Sequence, residues 1–469
     1  MVEPRLSRGL RDLLPDAMLA RQRMIDTIRG VYELYGFSPL ETPAVEYLDV
    51  LSGSAGAEAQ GQIFEATNPE GEQLGLRFDL TVPLSRVVSQ YQDLIFPFRR
   101  YQVSPVWRAD KPEPGRYRQF TQFDLDSVGA ESEVADTEII AAMCDTLDAL
   151  DVGPYLVRFS SRKILNLLLE YAEIPQSGGP AVFRILDKLD KIGLGKVKLE
   201  LTSGYTDESG APISGLGLSA GQVEKIERFL KIKADSRSEV LELLRALFGG
   251  VDNAQQEIDV VERISSHLDA LGYESNRVVV DLGIARGLAY YTGPVFEAVL
   301  LDAQQFGSVF AGGRYDNLVR RFTGRSIPAT GASIGVDRLL AALVELDRVE
   351  QRKTSSQVLV SAMDPALMGE YLQITYELRR AGIRTEMHVG KPKRLGKQLQ
   401  RADRLEIPYV VIMGSDEAQR GVVTVKEMLV GRRKAVEVRS HDEWKAGRFG
   451  QQEIARKDLA KTLRLLLDG

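Results

Sequence analysis

The sequence predicts an α+β chain: a mostly antiparallel sheet interrupted by a helical insertion, then a separate C-terminal α/β domain. Three observations carry this. Two strand-like runs, Phe98 to Trp107 and Arg118 to Val128, flank a polar loop with Pro112, Pro114 and Gly115, the pattern of an antiparallel hairpin with a long tip. From Ala172 to Arg277 strand signal gives way to scattered glycines and helical charge patterns. Beyond the polar stretch Glu345 to Ser356, strand and helix patterns alternate over roughly 110 residues, an ordinary domain size.

The elements follow in order. Met24, Ile25, Ile28, Val31, Tyr32 and Tyr35 recur at three- and four-residue steps, so Met18 to Tyr35 is an amphipathic helix ended by Gly36. Phe37 to Val45 is extended, and Pro39 and Pro43 assign it to an edge or an interface. Leu74 to Thr81 reads as a strand leading into a helix near Pro83, and Val134 to Leu150 as a helix. Val278 to Leu282, Val295 to Leu301 and Phe306 to Asp316 read as strand-like, and Gly331 to Leu343 as a strand passing into a helix. In the C-terminal part, strands are expected at Gln357 to Ala362, Thr385 to Val389, Tyr409 to Met413 and Val422 to Lys426. Helices are expected at Leu367 to Ala381 and Leu395 to Leu405. Charge patterns from Glu453 to the tail read as a solvated helix face. The expected division is 1–171 and 278–345 for the two parts of the core, 172–277 for the insertion and 357–469 for the last domain.

Composition narrows the function classes. The 469 residues are 44% hydrophobic and 27% charged, as in ordinary globular proteins. A net charge of −6 disfavours bulk adhesion to nucleic acid while leaving room for a local basic face. One cysteine, Cys144, excludes an internal disulfide framework and points to a reducing compartment. With only three histidines beside it, no structural zinc site is expected. No apolar signal core opens the chain and no apolar run approaches the ~20 residues of a membrane span, so a cytoplasmic protein without a membrane segment is expected.

Three separated stretches carry residues suited to one site. Alternate side chains of a strand share a face, which groups Arg77, Asp79 and Thr81, and separately Arg118, Phe120, Gln122, Asp124 and Asp126. A carboxylate row on an otherwise apolar sheet needs a partner such as an ammonium group if buried; a solvent-exposed polar face is the alternative. Arg108, Arg116, Arg118, Arg286 and Arg338 stand beside glycines or loop ends, where guanidinium groups grip phosphate oxygens and stabilise charge developing at phosphorus. Taken singly, each reads equally as a surface ion pair. Gly287, Gly293, Gly312 and Gly313 allow close backbone approach, and Tyr290, Tyr291 and Tyr315 are candidates to line a pocket for a ring. Phosphate-binding arginines together with carboxylates point to ATP plus an amino acid.

On these stretches the chain resembles the class II aminoacyl-tRNA synthetases, and within them the histidyl-tRNA synthetase family. Arg8 to Asp12 resembles the family's N-terminal signature, Glu41 to Pro43 motif 1, Trp107 to Asp126 motif 2 and Gly331 to Arg338 motif 3. Arg286 to Gly293 with Gly312 to Asp316 resemble the two histidine-specific signatures. The resemblance implies an antiparallel class II catalytic core, a homodimer built through motif 1, and an anticodon-binding C-terminal domain. It implies ATP, magnesium, L-histidine and tRNA(His) as substrates and partners.

The implied roles run residue by residue. Arg108 and Arg286 act at the α-phosphate as catalytic groups, with Arg116 and Arg338 on the distal phosphates and Asp110 near the adenine. Asp79, Thr81, Gln122 and Asp126 hold the α-ammonium and neighbouring groups of histidine, while Tyr290, Tyr291 and Tyr315 form the imidazole pocket. Lys393, Arg394, Lys397 and Arg401 are the expected tRNA contacts. Two positions depart from the pattern: Ala289 stands where aspartate is usual, and Asp110 where glutamate is frequent. A non-catalytic regulatory subunit of histidine biosynthesis is the alternative, with another class II amino-acid specificity a further one.

Overall fold

The chain forms two units, Met1–Asp12 with Arg23–Val349 and Leu13–Gln22 with Glu350–Gly469. The computed structural model describes residues 1–52, 61–112, 116–284, 291–390, 394–428 and 450–468. Among them no helix is long and apolar enough to cross a membrane.

The larger unit is organised on an eight-stranded sheet. Its strands are β1 (Ser38–Pro39), β5 (Phe98–Trp107), β6 (Gln119–Val128), β7 (Tyr155–Ser161), β10 (Val278–Val280), β11 (Pro294–Leu300), β12 (Ser308–Arg314) and β13 (Ala329–Gly335). They lie in the order β1-β5-β6-β13-β12-β11-β7-β10. The six central strands pair antiparallel, and only the short edge strands β1 and β10 are parallel to their neighbours. The α+β expectation holds.

Pairing gives this sheet two unlike faces. One carries Tyr101 and Val103 on β5, Phe123 and Leu125 on β6, Ile334 on β13 and Phe310 on β12. Helix α1 (Pro15–Leu34) meets this face through Tyr32, whose ring lies edge-on to Phe123 with centroids 4.9 Å apart. The other face carries Arg100, Gln102 and Ser104 on β5 opposite Asp126, Asp124 and Gln122 on β6, with Gly331 and Ser333 next on β13. Burial of the apolar face stabilises the sheet at about 25 cal/mol per Å2.

A small sheet of β2 (Val45–Tyr47), β3 (Glu65–Thr67) and β4 (Gln73–Leu76) precedes helix α2 (Thr81–Gln90). The expected strand Leu74 to Thr81 is therefore corrected: it stops at Leu76. Arg77 Nη1 donates to the Thr42 carbonyl at 2.5 Å and its Nε to the Pro105 carbonyl at 3.0 Å, which turns the chain inward. The Asp79 carboxylate accepts the Val82 N–H of the first turn of α2 at 3.0 Å. Arg77, Asp79 and Thr81 do not form one strand face. Helix α3 (Val134–Ala149) packs against β13.

Between 172 and 277 the structure is mostly helical, with one hairpin of β8 (Gly204–Thr206) and β9 (Pro212–Ser214) that the sequence reading omitted. Helix α4 (Val336–Glu345) follows β13 directly.

The second unit is a five-stranded sheet of β14 (Val358–Val360), β15 (Thr385–Met387), β16 (Tyr409–Ile412), β17 (Val422–Glu427) and β18 (Gln451–Ala455), in the order β15-β14-β16-β17-β18. Helix α5 (Leu395–Arg404) places Gln398 inward, where its amide pairs with the backbone of Ala362 at 3.0 and 2.8 Å. The region after Glu453 is corrected: Gln451–Ala455 is a strand, and the helix Leu459–Asp468 buries Leu459 and Leu463.

Candidate functional site

The polar face of the large sheet sets two carboxylates beside one buried guanidinium. Asp126 Oδ2 lies 2.8 Å and Asp124 Oδ2 4.0 Å from Arg100 Nη2. Arg100 is completely buried, and Asp124 and Asp126 nearly so. The solvent-exposed alternative for this row is thereby excluded. Tyr315, just beyond β12, donates its hydroxyl to Asp126 Oδ1. Gln122 Nε2 donates to Ser333 Oγ at 2.7 Å, so its amide is pinned to β13. Tyr291 packs beside Tyr315 and lies close to the backbone of Gly313. Thus Gln122, Asp126, Tyr291 and Tyr315 come together.

Asp79 is buried near this cluster, and both Arg108 and Arg100 act on its charge. Burial pushes the Asp79 carboxyl upward, opposed by the Val82 N–H and by Arg108. Burial also pushes Asp124 up to about 7, against the attraction of Arg100 and with the repulsion of Asp126. Asp126 is raised by burial as well, opposed by Arg100 and the Tyr315 hydroxyl. Thr81 opens α2, two residues beyond Asp79.

Cationic groups stand at the end of the hairpin. Arg108 follows β5; its Nε donates to the Phe78 carbonyl at 3.0 Å and its guanidinium lies 5.1 Å from the centroid of the Phe120 ring. Arg116 pairs with Asp110 at 3.0 Å, and Arg118 Nε donates to the Asp110 carbonyl at 3.1 Å. The N-terminal segment braces this tip. Gly9 accepts the Arg118 N–H at 2.9 Å, and Arg11 bridges to Asp337 at 2.8 Å while lying 3.8 Å from the Tyr117 ring centroid. Asp337 also accepts the Thr121 N–H at 2.6 Å, joining α4 to β6. Arg338, on the first turn of α4, donates to the Ser308 carbonyl at 2.8 Å. Arg286, Ala289 and Tyr290 lie outside the described residues, as does Lys393.

Three contributors escaped the sequence reading. Arg100 was invisible beside Arg99, although polar Arg100, Gln102 and Ser104 alternate with Tyr101 and Val103 on a strand next to the carboxylate row. Glu41 lies in the stretch that resembles motif 1. It accepts from Arg77, Gln102 and Ser104 at 3.1, 3.3 and 3.0 Å. Arg314 forms a buried pair with Asp136 at 2.6 Å, and its carbonyl accepts the Thr292 N–H, so it ties two signature segments to α3.

The comparisons with known proteins decide the family. The sequence model described as histidyl-tRNA synthetase matches residues 9–339, and that described as anticodon binding domain matches residues 357–464. The chain belongs to the histidyl-tRNA synthetase family. Among the family's curated members, the histidine–tRNA ligase of Cereibacter sphaeroides is 43% identical over 98% of this chain and 97% of its own. That of Paracoccus denitrificans is 44% identical over 98% and 97%. The crystal structure of histidyl-tRNA synthetase from Nostoc sp. PCC 7120 superposes with a TM-score of 0.83 at 33% identity, covering 99% of each chain. A Bacillus halodurans structure described as an ATP phosphoribosyltransferase regulatory subunit/histidyl-tRNA synthetase shares the fold, with TM-score 0.69 at 22% identity over 84% of this chain and 95% of that one.

In the second unit, Arg394, Lys397 and Arg401 are exposed at the start and along one side of α5. Arg401 also pairs with Glu386.

Proposed function

We propose that this chain is a cytoplasmic, homodimeric ligase that activates L-histidine with ATP and transfers it to the 3′ end of tRNA(His). The observation that carries the reading is the buried carboxylate floor of Asp79, Asp124 and Asp126 next to Arg108 at the hairpin end. Buried carboxylates suit an ammonium ligand, and a guanidinium at the open edge suits a phosphate.

Asp79, Thr81, Gln122 and Asp126 hold the α-ammonium and neighbouring groups of histidine, and Tyr290, Tyr291 and Tyr315 enclose the imidazole. Phe120, under Arg108, offers an aromatic face to the nucleotide. Asp110 lies beside the adenine, Arg116 and Arg338 meet the distal phosphates, and Arg108 and Arg286 meet the α-phosphate.

The histidine carboxylate attacks the α-phosphorus in line. A carboxylate-oxygen–phosphorus bond forms as the bond to pyrophosphate breaks. The arginines stabilise the charge that develops, so positioning and electrostatics carry the step. In the second step a hydroxyl of the terminal adenosine attacks the acyl carbon, and adenylate leaves. Magnesium would accompany the nucleotide and would offset the charge of its outer phosphates.

The C-terminal unit reads the anticodon, and Lys393, Arg394 and, on α5, Lys397 and Arg401 contact the tRNA. The helical region 172–277 is an insertion in the catalytic unit. The regulatory-subunit alternative has less support, because the chain spans both the synthetase and anticodon matches.

Arg286→His tests the catalytic assignment. It is expected to slow histidyl-adenylate formation far more than it weakens histidine binding, read by stopped-flow and calorimetry. An equal loss of both would remove Arg286 from the chemical step.

A further inference from the structure

We infer that Arg100 is a positioning residue that joins the two halves of the amino-acid site and sets its charge balance. The inference rests on the proposed amino-acid site.

A single nitrogen makes the junction. Arg100 Nη2 donates to the Leu80 carbonyl at 3.1 Å and lies 2.8 Å from Asp126 Oδ2. Leu80 sits between Asp79 and Thr81, the pair that starts α2. Asp126 is the carboxylate that receives the Tyr315 hydroxyl. Arg100 thus ties the 79–81 segment, which is not strand, to the strand and ring on the other side of the site. Its Nε and Nη1 carry no hydrogen bond among the described residues, so the surrounding backbone does not account for the whole guanidinium.

The charge count makes the same point. Asp79, Asp124 and Asp126 are buried together, and Arg100 is the wholly buried cation among them. Among the described residues, the other charged or titratable groups acting on the cluster include Arg108 from the end of β5, Tyr315 from beyond β12 and Tyr32 from α1. Three buried carboxylates without Arg100 cannot all stay ionised. One takes up a proton, and a protonated Asp126 no longer accepts from both Tyr315 and a cationic ligand. With Arg100 the cluster carries one positive charge that offsets part of the charge of its three acidic groups.

This count yields a test that a purely structural role would fail. Arg100→Leu, Arg100→Lys and the double variant Arg100→Leu/Asp124→Asn are compared with the wild type, after circular dichroism and melting confirm folding. The assay is histidine-dependent pyrophosphate exchange, with the KM for histidine and for ATP measured separately. Arg100→Leu is expected to raise the histidine KM by about 100-fold, the scale of a broken buried ion pair, with the ATP KM within about 3-fold. The double variant removes one acidic group together with the cation and is expected to recover about 10-fold of that loss. Arg100→Lys keeps the charge without the fork and is expected to raise the histidine KM by roughly 10-fold; it decides the matter if the leucine variant does not fold.

A folded Arg100→Leu protein with a wild-type histidine KM, parallel rises in both KM values, or a double variant no better than the single would each overturn the inference. Absence of histidine-dependent exchange in the wild type would instead overturn the proposed function, so the two failures are distinct.

Discussion

Replacing Gly331 with alanine should disable the amino-acid site through one methyl group. Gly331 lies on β13 directly opposite Asp126 on β6. A Cβ added there would meet Asp126 Oδ1 at 2.0 Å, Asp126 Cγ at 2.5 Å and the Leu125 carbonyl oxygen at 2.6 Å. The carbonyl is backbone and cannot rotate away, so β6 and β13 must separate, while the Asp126 side chain must swing. That swing breaks its pairing with Arg100 and its hydrogen bond from Tyr315. Overpacking costs about 1–3 kcal/mol, and leaving the buried Arg100 charge without its partner about 3–5 kcal/mol; because the two overlap, about 4 kcal/mol is expected. In a unit this large that lowers Tm by on the order of 10 °C. Differential scanning calorimetry reads the stability, and isothermal titration of histidine into protein held below its melting range reads the site. Histidine affinity is expected to fall by at least ~100-fold. A Gly331→Ala protein with wild-type Tm and unchanged histidine affinity would refute the placement of Asp126.

Further expectations follow from the same geometry. Tyr315→Phe removes the hydroxyl that Asp126 accepts and should raise the histidine KM by roughly 10-fold with the ATP KM little changed, the scale of one hydrogen bond to a charged group; parallel changes in steady-state kinetics would contradict it. Asp124 is held near 7 in the folded state, above its value in the unfolded chain, so the folded state keeps a proton that the unfolded state has released. Stability should then fall as pH rises from about 4 to about 7, and Asp124→Asn should flatten that fall in melts between pH 5 and 8; an unchanged slope would remove Asp124 as its source. Lys397→Glu/Arg401→Glu reverses two exposed charges on α5 and should raise the tRNA KM in aminoacylation while leaving pyrophosphate exchange intact. Loss of exchange would show that these residues act on the catalytic unit.

Much of the architecture was legible because local and tertiary demands agree. In β5 and β6, Tyr101, Val103, Phe123 and Leu125 fall on one face and polar groups on the other, so period-two patterning survives folding intact. From Arg77 to Thr81 the same alternation misleads. Arg77 finds its partners in residues 42–43 and 105, and Asp79 accepts an N–H from the first turn of a helix, contacts that lie far along the chain or require the helix to exist. The carboxylate row could be recognised, but not its burial, which depends on Tyr315 and on the segment before α2. Arg100 stands next to Arg99 in a strand with no motif to single it out; only strand register places it against Asp126. Strand Gln451–Ala455 was hidden by polar residues at the sheet edge, where one flank of the strand is solvated.

The most direct measurement is exchange of labelled pyrophosphate into ATP, without tRNA, across all the standard amino acids. Exchange with histidine, and with no other amino acid, is predicted. Exchange with a different amino acid, or none from folded protein that still binds histidine, would contradict the proposed activity.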